Sequence, residues 1–400
     1  MTPDKEARLP SIPLRGSNQT TVRGANERLV LHLVRQHGTM TKADATRATG
    51  LSPNALSVIF RSLEEDGFLL RCEPIRGRIG QPSTPMRLNP DARFHIGLKI
   101  GRSSFDMIVA DFVGGVRARR TSRHGYPTPD ATADFLRREV PGLLADAGLP
   151  AGSIAGSHVA MPSELWHWTE DFGAPAAEMT AWQTFAVEDL SALLPGPVTA
   201  ENDGTAACRA ELVFGPGVRH LDTIYFFVGT FIGGGIVLNG SVFSGRRGNS
   251  GGLGPLRVPD EAGGNRLVDH ASLAVLKRML RDAGHDHVEI PDETDDWDRL
   301  EPVLGQWVIR AARSLAHAIV SSLAVIDFEG VIIDGALPPA IRTRLLDEVQ
   351  AHIRKIDLQG VALPDIEEGH LGQIARALGA AARPISASYM VDGNAVLQGG

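Results

Sequence analysis

The stretch from Ile224 to Gly245 constrains the fold more than any other, and it reads IYFFVGTFIGGGIVLNGSVFSG. A run of β-forming apolar residues breaks at Gly229-Thr230, passes a triple glycine at 233–235 and resumes as a second apolar run. The chain then turns at Asn239-Gly240, a strong hairpin signal because both residues accept positive φ. The pattern predicts a strand, a glycine loop whose N–H groups can approach a phosphate or polyol, and a second strand. A tight bend between two core strands is the alternative.

Composition narrows the class of protein. The 400 residues suffice for two or three globular domains, and no run of about eighteen apolar residues predicts a membrane span. The N-terminus lacks the apolar segment of a secretory signal. The two cysteines, Cys72 and Cys208, are too few for a disulfide framework or a cysteine-based zinc site. A cytoplasmic protein without contact to a membrane is therefore expected.

Charge is distributed unevenly along the chain. Residues 1–100 carry 15 Lys and Arg against 9 Asp and Glu, a balance of +6, whereas the remainder carries 25 against 38, a balance of −13. A basic head on an acidic body is typical of a polyanion-binding module fused to a domain of another function.

The head predicts a helix-turn-helix. One helix ends near His37-Gly38, a short helix capped by Thr41 runs through Ala48, and Ser52-Pro53 starts a third that reaches about Asp66. Apolar positions of the third helix face inward, so that Asn54, Ser57 and Arg61 face outward. Such a second helix fits the major groove of DNA.

A wing follows this unit. Residues 67–70 and 86–88 predict two strands around a Gly-flanked basic tip, from which Arg76 and Arg78 can follow phosphates or enter the minor groove. A small protein-interaction domain with a solvated basic face is the alternative. The predicted DNA-binding residues are Lys42, Ser52, Asn54, Ser57, Arg61, Arg76 and Arg78.

From Phe94 the pattern is that of an α/β body. Alternation over 94–111 predicts an antiparallel hairpin, followed by a helix near 131–147, a strand at 154–161 and a strand from 197 that leads into Glu201-Asn202-Asp203. A helix follows Asp203. Leucine and other apolar residues at helical spacing over about 300–326 predict a helix in the core or at a dimer surface.

The order of these elements resembles the ROK family of repressors and sugar kinases, in its transcriptional-regulator branch. The family's wing pattern is approximated by 78–82 and 88–90, and its Glu-Asn-Asp element by 201–203. Its Gly-Thr-Gly-x-Gly-Gly-Gly loop matches 229–235 with Phe231 in place of one glycine. Residues 331–337 resemble a later adenosine-side strand and turn, and 378–381 the closing helix.

The resemblance implies a fold and a division of the chain. The fold is α/β with an N-terminal winged helix and a two-lobed body of the actin-like, sugar-kinase-like (ribonuclease H-like) type. The expected parts are a flexible tail at 1–20, a winged helix-turn-helix at 21–90, a ROK effector and dimerisation domain at 91–383, and a C-terminal tail at 384–400.

Departures from the family pattern argue against catalysis. In the family's kinases the first hairpin has an Asp near magnesium and a small loop around phosphate, but here Lys99 and Gly101-Arg102-Ser103 occupy those positions. An ammonium cannot bind Mg²⁺, so no phosphoryl transfer is expected despite Asp203, which matches the kinase general base. Asp203 as a helix-capping carboxylate is an equal alternative.

The sugar side departs as well. The family's Glu-x-Gly-His segment falls on 252–255, where Gly252 replaces a sugar-binding Glu and Pro255 replaces a His that also binds zinc. The cysteines of that zinc site are missing, so no metal and no cofactor are expected. Glu178 stands where an Asn meets sugar hydroxyls. The predicted effector-binding residues are Glu178, Asn202, Asp203, Gly229, Thr230, Gly252 and Asp269.

These features predict a non-enzymatic transcriptional regulator. It is expected to be a repressor of carbohydrate-related genes, to bind a double-stranded DNA operator as a homodimer or higher homo-oligomer, and to respond to a small, sugar-like effector. The alternatives are a carbohydrate kinase with an added DNA-binding domain, and a ligand-blind DNA-binding dimer.

Overall fold

The computed structural model describes residues 20–75, 83–167, 174–216, 219–261, 264–285 and 289–394. Its first part is a winged helix built from α1 (Thr20–His37), β1 (Thr39–Met40), α2 (Lys42–Thr49), α3 (Pro53–Glu65), β2 (Leu69–Arg71) and β3 (Met86–Leu88). The strands form one antiparallel sheet in the order β1-β3-β2. The predicted helices and the two strands at the base of the wing are confirmed. Strand β1 was not predicted, because two residues are too few to show the alternation of apolar and polar side chains that indicates a strand.

Local chemistry fixes the turn between α2 and α3. The hydroxyl of Thr41 accepts a hydrogen bond from the Asp44 amide, and the Asp44 carboxylate accepts one from the Thr41 amide, which forms a capping box. Gly50 ends α2 with φ of 70°. Ser52 accepts from the Ala55 amide and starts α3. The spacing between the two helices is therefore set by their own caps.

The first lobe of the body is a five-stranded sheet in the order β6-β5-β4-β7-β8. Strands β4, β5 and β6 pair antiparallel to one another, and β7 and β8 extend the sheet beside β4 and run parallel to it. The carboxyl ends of β4, β7 and β8 therefore lie at the same edge of the sheet. The elements are β4 (Phe94–Ile100), β5 (Ser104–Ala110), β6 (Val116–Arg123), α4 (Pro129–Ala147), β7 (Ile154–Met161), α5 (Ala176–Met179) and β8 (Val198–Asn202).

The second lobe contains the sheet β11-β10-β9-β14-β15 and a small β12-β13 hairpin. Its elements are α6 (Asp203–Phe214), β9 (Thr223–Val228), β10 (Gly233–Leu238), β11 (Ser241–Val242), β12 (Arg257–Glu261), β13 (Gly264–Arg266), α7 (Val268–Ala271), α8 (Leu273–Asp282), α9 (Val303–Leu323), β14 (Gly330–Gly335), α10 (Pro339–Ile353) and β15 (Asp365–Glu368). Helix α9, predicted from its periodicity, lies with its apolar face in the core, where Trp307 is fully buried.

The triple glycine lies inside strand β10 and not in a loop, which corrects the sequence interpretation. Residues 233–235 pair with 225–227 of β9, and the loop is confined to 229–232. A Cβ on Gly235 would overlap the Cys208 side chain, and one on Gly204 would overlap the backbone of Gly234. The glycines therefore allow α6 to pack directly on β10. The turn at Asn239-Gly240 is confirmed, with φ of 52° and 69°.

The last helix, α11 (Ala375–Tyr389), returns to the first lobe and reaches the winged helix. The expected tail from residue 384 is wrong for 384–394, because the helix continues through Pro384 and Ile385 and Met390 are buried. These two residues belong to the same apolar cluster as Val30, Phe60 and other core residues of the winged helix. Head and body therefore share one core.

Two buried histidines predict acid sensitivity of the body. His95 and His158 lie with ring centroids 5.7 Å apart, and burial lowers the pKa of His95 to about 4 and of His158 to about 3. The unfolded chain binds these protons near pH 6.5, so stability is full above that pH and falls as the pH drops towards 4. We expect a lower thermal midpoint at pH 5 than at pH 7.5.

His158→Asn removes one titrating group and should reduce this difference by about 2 kcal/mol, or roughly 2 °C, for a protein of this size. The same substitution at the exposed His285 is the matched control and should leave the difference unchanged. An equal reduction in both variants would show that the buried pair is not responsible.

Candidate functional site

The first candidate site is the outer face of α3. Leu56, Ile59, Phe60 and Leu63 are buried on the opposite face of this helix. Asn54 and Arg61 are exposed and Ser57 is partly exposed, and their spacing of three and four residues places them on one side of the helix. Ser52 and Lys42 are exposed at the starts of α3 and α2. Arg76 and Arg78 lie outside the described residues.

Charge pairing distinguishes the arginines of the head. Arg71 makes a bidentate ion pair with Glu64 at 2.6 and 2.9 Å, and Arg47 pairs with Asp44. Arg61, in contrast, forms no ion pair with any residue that the structure describes. An exposed guanidinium without an intramolecular carboxylate is available to an external anion or base edge.

The second candidate site is the cleft between the lobes, where β8 ends and α6 begins. The Asn202 side chain accepts hydrogen bonds from the amides of Gly204 and Thr205, so it caps α6. Its amide nitrogen donates to the Ser163 hydroxyl at 3.1 Å, and Ser163 donates to Asn249 at 3.2 Å. Ser163 and Asn249 were not predicted from the sequence, because they become neighbours only when the lobes face each other.

Asp203 is the first residue of α6 and pairs with Arg376 of α11, whose guanidinium lies 3.4 Å away. Arg376 also lies 4.8 Å from the centre of the Phe227 ring and near Gly229. The sequence reasoning missed Arg376. The available signal was that Arg376 and Arg383 lie within an otherwise Ala- and Gly-rich helix, where charged residues are unusual.

Lys99 is buried at the end of β4. Its ammonium donates to the Ser104 hydroxyl at 2.7 Å, and burial, together with Arg376, lowers its pKa to about 7. The opposite residue, Asp106, is paired with Arg119 through two hydrogen bonds of 2.9 and 2.7 Å. Lys99 therefore has Asp203, already paired with Arg376, as its other neighbouring carboxylate.

The loops of the two lobes touch beside Lys99. The Arg102 guanidinium lies 4.4 Å from the centre of the Phe231 ring, and the hydroxyls of Ser103 and Thr230 are 3.4 Å apart. Arg102 and Phe231 are both residues at which the chain departs from the glycine-rich family pattern. The two side chains fill the space that glycines would leave open, and the cation is attracted to the face of the aromatic ring.

The predicted effector residues separate into two groups. Asn202, Asp203, Gly229 and Thr230 line this cleft, whereas Glu178 and Asp269 are engaged elsewhere. Glu178 accepts a hydrogen bond from the Tyr126 hydroxyl at 3.1 Å. Burial raises the pKa of Asp269, but hydrogen bonds from Arg266 outweigh this and hold it below its usual value. Gly252 is exposed in a turn that begins at Asn249.

Among the described residues, one group of three potential metal ligands lies close together. His220, Asp365 and Glu367 place their ligand atoms within 4.8 Å of one another at the edge of the second-lobe sheet. Arg219 pairs with Glu367 at 2.7 Å. Because a cation already neutralises one of the carboxylates, this group is better described as part of a surface ion-pair cluster.

Every helix in the described part of the chain is too short or too polar to cross a bilayer.

A model of the ROK family matches residues 95–384. The chain belongs to the ROK family. The xylose repressor of Bacillus subtilis (strain 168) is 21% identical over 243 residues, which are 60% of this chain and 62% of that protein. A ROK family transcriptional regulator, a homologue of the E. coli MLC protein, superposes with a TM-score of 0.65 at 18% identity, covering 95% of this chain and 99% of that structure.

A ROK family glucokinase from Streptomyces griseus, solved with glucose and AMPPNP, superposes with a TM-score of 0.55 at 21% identity and covers 72% of this chain and 98% of that one. The relatives of this ROK protein thus include both repressors and kinases. The predicted family and the predicted fold, a sugar-kinase-like body with an N-terminal winged helix, are confirmed.

Lys99 should weaken the fold at neutral pH. Its pKa is about 7 in the folded state and 10.5 in the unfolded chain. Above pH 10.5 the amine is neutral in both states and its burial costs no stability, whereas the cost grows as the pH falls from 10.5 to 7 because only the unfolded chain then binds the proton readily. Lys99→Met keeps the length of the side chain and removes the charge. We expect a higher thermal midpoint at pH 7, corresponding to about 1–3 kcal/mol, and a smaller gain at pH 9.

The exposed Lys42 supplies the control, because Lys42→Met removes the same charge from the surface. A gain for Lys99→Met that is constant between pH 7 and pH 9 would contradict the assigned cause.

Proposed function

We propose that this ROK protein is a DNA-binding transcriptional regulator. It acts as a dimer, represses carbohydrate-related genes and responds to a sugar-like effector without transferring phosphate. The observation that carries the proposal is the outer face of α3, where Asn54, Ser57 and Arg61 project from a helix whose other face is buried in the core. Amide and guanidinium groups are the side chains that read adenine and guanine edges in the major groove.

The charge of the chain supports binding to a polyanion. The balance of +6 in the first 100 residues stands against −13 in the rest, so DNA is attracted to the head and repelled by the body. Lys42 and Arg61 are exposed, and the wing carries two further arginines in the sequence. The similarity to the xylose repressor and to the MLC-like regulator agrees with this function.

Three features of the cleft argue against phosphoryl transfer. Lys99 stands at the position that resembles the kinase magnesium ligand and carries the charge opposite to that of a ligand. Arg102 and Phe231 join the two loops that would surround the phosphates. Arg376 pairs with Asp203 and so occupies the carboxylate that a sugar hydroxyl would have to approach.

A carbohydrate kinase is the second candidate function, favoured by Asp203 at the start of α6 and by the kinase relatives. The purified chain with ATP, Mg²⁺ and a panel of hexoses and amino sugars tests it by release of ADP. We expect the unmodified protein to release ADP no faster than the Asp203→Asn variant does. Turnover that disappears in this variant would establish the kinase and overturn the non-enzymatic part of the proposal.

The cleft offers groups suited to a neutral polyol. Ser163, Asn202 and Asn249 present hydroxyl and amide groups that donate and accept hydrogen bonds, beside the carboxylate of Asp203. Replacement of these mutual contacts by ligand hydroxyls is the proposed mode of effector binding. If no sugar raises the thermal midpoint of the protein, the ligand-blind dimer becomes the better description.

Helix α11 connects this cleft to the DNA-binding head. Arg376 near its start pairs with Asp203, and the Tyr389 ring at its end packs against Phe68 of the head and, edge to face, against Phe112 of the body, with ring centroids 5.1 and 5.2 Å apart. The two ends are about 20 Å apart along the helix. A ligand that competes for Asp203 releases Arg376, and a shift of α11 then changes the position of the head.

Selection of bound sequences from a random duplex pool tests the regulator directly. We expect enrichment of a palindromic motif whose half-sites lie one or two helical turns apart, because two recognition helices of a dimer face the same side of the duplex. Absence of any enriched motif would remove the DNA-binding proposal.

Two variants separate base reading from phosphate contact. Asn54→Ala should relax the motif at one base pair per half-site and cost about 1–3 kcal/mol there, whereas Lys42→Ala should weaken all duplexes equally and lower the salt dependence. Equal weakening of cognate and random DNA by Asn54→Ala would assign Asn54 to the phosphate backbone.

The role of α11 is tested by hydrogen exchange of the ligand-free protein. Arg376→Met removes the ion pair at the cleft end, and we expect severalfold faster amide exchange in α1 and α3, which share a core with the other end of α11. Arg266→Met breaks a comparable pair with Asp269 away from α11 and should leave the head unchanged. Unchanged exchange in the head of Arg376→Met would exclude coupling through this helix.

A further inference from the structure

Val58 is an exposed aliphatic residue in the middle of the outer face of α3. Its side chain is 56% exposed, although the apolar residues of the same helix on the other side are buried. It follows Asn54 by four residues and precedes Arg61 by three, so it lies on the same side of the helix as these two polar residues. Val58 therefore interrupts a face of groups that form hydrogen bonds.

Single exposed apolar residues are common and need no explanation by themselves. The position of Val58 is what carries the argument. It is absent from the core shared by head and body, and its neighbours on the outer face are polar. Whatever surface approaches Asn54 and Arg61 must also cover Val58.

The major groove of DNA offers one apolar feature, the C5-methyl group of thymine. A valine side chain is suited to it, because its branched Cβ leaves one strongly preferred rotamer in a helix and little conformational entropy is lost on contact. We infer that Val58 contacts a thymine C5-methyl group and so determines one position of the DNA sequence that the protein selects. The inference rests on the proposed DNA-binding function and deepens it.

The geometry of the helix places this thymine. Val58 lies about 6 Å along the helix axis from Asn54, which corresponds to about one to two base-pair steps of 3.4 Å. The methyl group should therefore belong to a base pair within two steps of the one that Asn54 contacts. Arg61 follows Val58 by three residues, so the DNA group that it contacts should lie on the side of the thymine away from the base pair of Asn54.

Replacement of thymine by uracil tests the contact, since uracil lacks only the C5-methyl group. The full chain is titrated with the duplex enriched from the random pool and with duplexes in which each dT is replaced by dU, one position at a time. We expect one position per half-site at which dU weakens binding about fourfold, the effect of one buried methyl group. This position should lie within two base pairs of the one relaxed by Asn54→Ala.

Variants assign the effect to the side chain. Val58→Ala should bind dT and dU duplexes equally at that position, and Val58→Ile, which keeps an aliphatic branch, should retain the preference for dT. Val325→Ala removes the same two methyl groups from a residue of the body that is 82% exposed, and it should behave as the unmodified protein. Both sites are exposed, so we expect all three variants to fold, and the thermal midpoint checks this.

Two results would overturn the inference while DNA binding stands. One is an enriched motif whose affinity is insensitive to dU at every position, and the other is a dU effect that persists in Val58→Ala. A pool without any enriched motif would instead overturn the proposed function on which the inference rests.

Discussion

The contact between α6 and α11 is the constraint on which the rest of the body depends. A Cβ on Gly379 would overlap the carbonyl oxygen of Ala206, and one on Gly97 would overlap that of Ala377. Only small residues allow the last helix to lie so close to α6 and to the central strand β4. Because of this contact, the last helix passes the interlobe cleft and reaches the head, which places Arg376 beside Asp203 and Tyr389 beside Phe68.

The residues that depart from the family pattern each have a partner at the cleft. Lys99 lies beside Arg376 and Asp203, and Arg102 covers Phe231 from the opposite lobe. One substitution alone would leave a buried charge or a gap, and either is costly in a packed interior. Together they replace a space suited to phosphates and a metal ion by side chains that attract one another across the lobes. This chemistry is the basis of the proposal that the body does not transfer phosphate.

Regular patterns in the sequence predicted most of the elements, and tertiary contacts account for the failures. The alternation over 94–111 and the caps at Thr41 and Ser52 act locally, so both were predicted correctly. Strand β6 was missed because its exposed edge carries arginines, which pair with carboxylates that no local pattern reveals. The tail expected from residue 384 was wrong for 384–394, because the burial of Ile385 keeps α11 intact through Pro384. Of the candidate site, the motif residues were predicted, whereas Arg376, Ser163 and Asn249 required the fold.

The shared core also limits how a signal can pass to the head. Phe68, Phe112 and Tyr389 form an aromatic cluster between the winged helix, the first lobe and α11, and Arg35 donates a hydrogen bond of 2.8 Å to the Phe112 carbonyl. A head held by such packing does not swing freely on a linker. Packed cores change between discrete arrangements and do not deform continuously. In the proposed regulator, an effector would therefore act on DNA binding only by stabilising a second packing of this cluster, with the ion pair between Arg376 and Asp203 belonging to the first.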